Sequence, residues 1–299
     1  MIDLAWLWIP FTLIGASGQV ARNAMQRGLT GPLGTVGATH IRFLFGFPFS
    51  LVFLALVLFA TKDPLPSLAP TFWSWLLLGA LTQITGTALM LAAMTERSFV
   101  VTTAYMKTEP IQAAAFGFAF LGDHLTPIKV VAIVIATFGV IVTALRPGGM
   151  KGAADIRPTL LGLAAAAAFA LSAVGFRGAI LNANGVSFVT SASFTLMCGL
   201  LLQSVLLSSY LIARDREVLR AIVRLWKPSL FAGFIGAFAS QFWYLAFALT
   251  AVANVRTLAL VEVLLAQGVA YYSFKQPLSR RELAGIVLIV LGVGLLVAT

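Results

Sequence analysis

Lys107, Glu109 and Glu262 stand deep inside long apolar stretches. A charge at the centre of a bilayer costs about 2.5–3.5 kcal/mol on insertion scales, so each needs a partner or a task. Around the first carboxylate, Thr102, Tyr105, Glu109, Gln112 and Phe116 are spaced +3, +4, +3, +4. That spacing puts them on one helix face, and a polar, aromatic stripe of this kind belongs against a cavity rather than lipid. Lys107 is two residues from Glu109 and points elsewhere, so the two cannot pair within one helix. Glu109 and Glu262 could bind a substrate ammonium or carry protons. The plainer alternative ties each of them to a helix end or to Lys107, Arg256 or Arg177. Arg177 and Arg256 lie nearer span ends, where long side chains snorkel to the interface.

Uncharged polar groups recur at the same depth. Gln19 and Asn23 share one face of the first apolar run, and Gln83, Gly86, Thr87 and Met90 form a stripe on the third. On the eighth, Gly236, Ser240 and Tyr244 form another, with Gln241 beside it. Amides and phenols bind a zwitterion without a fixed-charge penalty. They also cross-link helices, for about 0.6–2 kcal/mol each. The candidate substrate-binding set is therefore Gln19, Asn23, Gln83, Tyr105, Lys107, Glu109, Gln241, Tyr244 and Glu262.

Catalysis finds less support. Gly15-Ala16-Ser17-Gly18 fits the GxSG pattern of intramembrane serine proteases. A nucleophilic serine needs a base within hydrogen-bond reach, and the two histidines, His40 and His124, fall at or near span ends. Two distant histidines and a single cysteine, Cys198, make no metal-ligand cluster. No cofactor and no catalytic residue is expected.

The elements that position these side chains follow from composition. Hydrophobic residues make up 60% of the 299 and charged residues 10%, and the mean hydropathy is +0.98. Soluble domains carry about 25% charge, so the soluble classes drop out. Ten segments reach the length of about 20 apolar residues that a bilayer requires: 5–26, 34–60, 71–94, 98–120, 127–145, 158–181, 187–212, 228–249, 253–274 and 279–298. They are continuous rather than alternating, so helices are expected, not barrel strands. Gly28, Gly31, Gly34 and Gly37 read as a flexible connector, Pro48 and Pro110 as kinks inside spans, and Pro147-Gly148-Gly149 as the boundary between two halves.

The halves resemble each other. At an offset of 153, Leu125 meets Leu278, Gly139 meets Gly292, Val140 meets Val293 and Glu109 meets Glu262; at 154, Gly79 meets Gly233; at 155, Arg22 meets Arg177. Two copies of a five-span unit, 1–150 and 151–299, explain the pattern. An odd number of spans leaves the second copy inverted, an architecture of secondary transporters with a midplane site. Lys and Arg concentrate after the odd-numbered spans, at Arg27, Arg97, Arg146, Lys151, Arg214, Arg216, Arg220, Arg224, Lys227 and Lys275 among others, against Lys62 and Lys129 on the other side. The positive-inside rule makes the first side cytoplasmic and both termini periplasmic. The net charge of +10 is thus a membrane signature, and no nucleic-acid partner is expected.

Glu109-Pro110, Leu121-Gly122-Asp123-His124-Leu125-Thr126 and Gly139-Val140, with Arg42 opening span two and the echo Pro277-Leu278-Ser279, Gly285 and Gly292-Val293, resemble the drug/metabolite transporter superfamily of EamA type. Within it the chain looks like the YddG-type amino-acid exporters. The resemblance implies an all-α integral membrane protein with ten transmembrane helices, in two inverted five-helix repeats around a central cavity. It further implies a monomer in the bacterial inner membrane that exports amino acids or similar small metabolites by alternating access, with protons as a candidate coupling ion. A membrane enzyme acting on lipid-linked substrates and a channel are the alternatives.

Overall fold

The structure, a computed structural model, describes residues 4–96, 105–144, 156–264 and 280–299. Thr102, the Pro147-Gly148-Gly149 boundary, the basic residues Arg97, Arg146, Lys151 and Lys275, the second half of span nine and Pro277-Leu278-Ser279 lie outside the described residues. Six helices among the described residues are long and apolar enough to cross a membrane, and the chain is an all-α, multi-pass membrane protein.

Helix α1 runs from Trp8 to Leu44 and α2 from Gly46 to Thr61. The expected flexible connector is therefore helical, and its one break is at Gly34, at φ 65° and ψ 179°. That conformation is open to glycine and closed to most side chains, and Pro32 just before it leaves a carbonyl one turn earlier without its donor. The kink expected at Pro48 falls at Phe45 instead, where α1 stops and α2 begins, so Pro48 occupies the first turn of a new helix.

Helix α3 (Phe72–Glu96) is followed by the short α4 (Glu109–Phe116), a π-helical turn over Gly117–Leu121, and α5 (Pro127–Ala144). The second half contains α6 (Ile156–Leu181), α7 (Phe188–Arg214), the nine-residue α8 (Arg216–Arg224) and α9 (Trp226–Leu249). It continues with α10 (Val252–Leu258), a 3-10 turn over Ala259–Val261, and α11 (Arg280–Ala298). Spans four and nine, expected as continuous helices, are broken. The first is interrupted at Lys107–Thr108, so Pro110 opens a helix rather than kinking one. The second tightens to 3-10 geometry directly before Glu262.

The helices pack in pairs that cross between the halves: α3 along α6, α1 along α9, α5 along α11, α2 along α7, and α4 against α10. Small residues allow the closest approaches. A Cβ on Gly139 would lie 2.8 Å from the Gly285 carbonyl oxygen, and one on Gly292 would lie 2.7 Å from that of Ala132. The main apolar cluster includes Phe43, Phe72, Leu76, Phe176, Leu196 and Phe247.

Two polar and apolar attachments lie at opposite ends of α7. At its N-terminus, Asp63 accepts hydrogen bonds from the Ser187 amide (3.0 Å), the Ser187 hydroxyl (2.5 Å) and the Thr190 hydroxyl (2.6 Å). Beside it the two-residue strands β1 (Ser67–Leu68) and β2 (Ala183–Asn184) pair antiparallel. Those donors hold the Asp63 carboxyl below its ordinary range. At the far end, about 40 Å away along 27 helical residues, Leu211 joins Leu33, Ile41, Ile222 and Ala232 in a cluster that seats the amphipathic α8.

Candidate functional site

The broken spans bring their charges together at the centre. Lys107, in the turn before α4, forms an ion pair with Glu262, in the turn after α10. Arg256 of α10 lies 2.9 Å from Glu109 of α4, although its Nε is out of line for a hydrogen bond. Each half thus supplies one carboxylate and one cation, and each pair crosses the interface. Both carboxylates have the partners that the plainer sequence alternative named. The guanidinium of Arg256 also lies 4.4 Å from the ring centre of Trp243 and 5.3 Å from that of Phe247. Arg256 is 8% exposed, so it does not snorkel; a desolvated cation is held by an aromatic floor and one carboxylate.

Arg177 does not snorkel either. Its Nη1 lies 2.5 Å from Asp123 and its Nε donates to the Phe247 carbonyl oxygen at 3.1 Å. This joins α6, the segment after the π-helical turn and the end of α9.

A cavity opens above these pairs. Its space is about 20 Å³, threaded between side chains, with room for about one or two ordered waters. Gln19, Arg22 and Asn23 of α1, Arg42 beyond the α1 kink, Gln83 of α3, Glu109, Arg256, and Ser240 and Tyr244 of α9 supply its polar wall. Phe169, Phe176, Trp243 and Phe247 supply the aromatic one. A smaller neighbouring pocket shares Gln19, Glu109 and Arg256 and adds Lys107 and Glu262.

Of the nine residues singled out in the sequence, Gln19, Asn23, Gln83, Glu109 and Tyr244 line the main cavity, and Lys107 and Glu262 line its neighbour. The other two sit elsewhere. Tyr105 packs on Gly162 of α6. Gln241 donates to the Ser193 hydroxyl of α7 at 2.8 Å, a cross-link between helices. Gln83 has a partner of the same kind, accepting from Gln203 at 2.9 Å. The Arg22 and Arg42 side chains were not singled out, although both are charges inside apolar runs.

The sequence from residue 6 to 145 matches the EamA-like transporter family. The match spans just under half of the 299 residues. A solved crystal structure, described only as that of a protein, superposes with a TM-score of 0.67 over 96% of this chain and 95% of its own, at 16% identity. That likeness shows a shared fold across both halves. No curated protein matches the sequence. The EamA-like family is one of transporters, so the chain is read as a membrane transporter of small substrates.

Proposed function

We propose that this chain is a secondary transporter that exports amino acids or similar small metabolites across a bacterial inner membrane, working as a monomer by alternating access. The observation that carries the reading is the pattern of charges and breaks at the centre. Spans four and nine are both interrupted beside a carboxylate, Glu109 and Glu262, and the two carboxylates stand at corresponding positions of the halves. Discontinuous helices at the midplane, with charged residues at the break, are the usual construction of a transporter site.

Helix pairing supports ten spans in two inverted repeats, 1–150 and 151–299. Exchanging each span for its counterpart five later turns the α3–α6 pair into the α9–α1 pair and returns α2–α7, α4–α10 and α5–α11 to themselves. The close contact of Gly139 with the Gly285 carbonyl becomes that of Gly292 with the Ala132 carbonyl under the offset of 153. In this arrangement the main cavity has room for no more than about one or two waters, which fits a carrier with its halves together and not a continuous aqueous path; a substrate enters once the halves part.

Two experiments test the proposal. Purified protein in liposomes should show saturable amino-acid counterflow with trans-stimulation; flux that is neither saturable nor trans-stimulated would mark a channel. Single cysteines at Lys62 and Lys151, introduced on a Cys198→Ala background, should label from opposite faces. Labelling from the same face would remove the inverted repeat.

A further inference from the structure

The main cavity and its neighbour are lined by four cations, Arg22, Arg42, Lys107 and Arg256, and two carboxylates, Glu109 and Glu262. The carboxylates are taken by Arg256 and Lys107. Two positive charges are left over, on Arg22 and Arg42. Each of these residues is 3% exposed, and neither has a carboxylate within ion-pair distance among the described residues. Among the described residues, Arg22 bonds only the Asn23 side-chain oxygen, at 3.3 and 2.9 Å. Arg42 reaches the Thr87 hydroxyl at 3.4 Å, and its Nε has no partner.

The two stems run side by side over one glycine. A Cβ on Gly236 would lie 3.4 Å from Cδ of Arg22 and 3.4 Å from Cγ of Arg42. The indole N–H of Trp243, in the same wall, also lacks an acceptor. Donors without acceptors therefore gather at one cavity, where the cations outnumber the carboxylates even though one Glu109 oxygen also lacks a hydrogen-bond partner, and like charges repel in the absence of a counter-ion. Guanidinium forks match the planar or tripodal oxygens of carboxylate and phosphate.

We infer that the cavity takes a small organic anion, with an oxyanion head between Arg22 and Arg42 and an apolar body against Phe169, Phe176 and Trp243. This inference rests on the transporter reading and narrows it: the substrate carries net negative charge. A zwitterion would bring an ammonium that has to compete with Arg256 and Lys107 for Glu109 and Glu262.

The test uses one phenyl body with four heads: phenylacetate, phenyl phosphate, phenylalanine and phenethylamine. Each is titrated into the purified full-length protein, followed by tryptophan fluorescence, and each is then offered for counterflow in liposomes. At least one anion should bind about tenfold or more tighter than phenylalanine, and phenethylamine should bind weakest. A lead for phenyl phosphate assigns a phosphate head, and a lead for phenylacetate assigns a carboxylate head.

Arg42→Lys keeps the charge and loses the fork, and should weaken the anion about tenfold while phenylalanine changes less than about twofold. Arg42→Gln should weaken it further. If Arg42→Gln fails to fold, the wild-type ranking and Arg42→Lys still decide. Phenylalanine binding as tightly as both anions would overturn the inference, as would equal losses for anion and zwitterion in Arg42→Lys. Trans-stimulated counterflow of phenylalanine without that of either anion would sink the inference and leave the transporter reading standing. Anion-selective binding with no counterflow of any probe would do the reverse.

Discussion

Glu109→Gln tests the central ion pair directly. The substitution keeps the side-chain volume and removes the charge opposite Arg256, whose side chain is 9% exposed against 12% for Glu109. Arginine stays protonated in proteins, so the variant leaves a buried cation without its carboxylate. Breaking a buried pair this way costs about 3–5 kcal/mol. The rings of Trp243 and Phe247 remain under the guanidinium and offset about 1 kcal/mol of that. The expected loss is therefore about 2–4 kcal/mol, or about 30- to 1,000-fold in the folded-to-unfolded ratio. Adding Arg256→Met removes the stranded charge, and the double variant should return to within about 1 kcal/mol of the parent. Unfolding in mixed micelles of rising SDS content, followed by tryptophan fluorescence, measures all four corners of the cycle. A loss below about 1 kcal/mol in Glu109→Gln, or a double variant as unstable as the sum of the singles, would refute the pairing.

The close helix approaches predict an asymmetric response to added volume. Gly139→Leu should lower the melting temperature sharply, since its Cβ alone would lie 2.8 Å from the Gly285 carbonyl, whereas Gly294→Ala, with nothing within 4 Å, should be silent. Gln241→Leu should cost about 0.6–2 kcal/mol in the same unfolding assay and leave counterflow intact, because its amide serves Ser193 and not the cavity. Asp63 titrates below its ordinary value, so its contribution to stability is complete above about pH 4 and fades as the pH falls through the lowered value. Asp63→Asn should be less stable than the parent at neutral pH and should lack that acid-side slope when melting is followed across pH.

Much of this was legible from residue type and depth alone. The membrane class follows from charge content. Glu109 and Glu262 stand out because a carboxylate in lipid needs a reason, and Gly139 with Gly292 emerges from the offset of the halves. The partners were harder to see. Arg256 reads as a residue near a span end; only the break of span nine at Ala259 and the aromatic floor from α9 bury it, and both are tertiary effects. Lys107 and Glu109 point apart on an ideal helix, and the turn at Lys107–Thr108 leaves them free to reach different partners. The glycines at 28 and 31 read as part of a flexible connector, since glycine is a poor helix former in water. Both are exposed, with nothing within 4 Å of an added Cβ, yet both stay helical, and the connector breaks only where Gly34 takes a positive φ. Arg22 and Arg42 carried the same signal as Lys107, a charge within an apolar run. In the sequence, however, Arg22 stands as a repeat match and Arg42 as part of the motif that opens span two, and neither position by itself points to a cavity.

The attachments at the two ends of α7 have different temperature responses. One end of α7 is fastened by Asp63 and a scrap of sheet, the other by the greasy seat of α8. Apolar contact weakens on cooling, whereas a carboxylate with three donors lets go in acid. The two ends of one helix thus answer to different stimuli: chilling slackens the end that carries the basic helix, and acid slackens the end that carries the loop between α2 and α3.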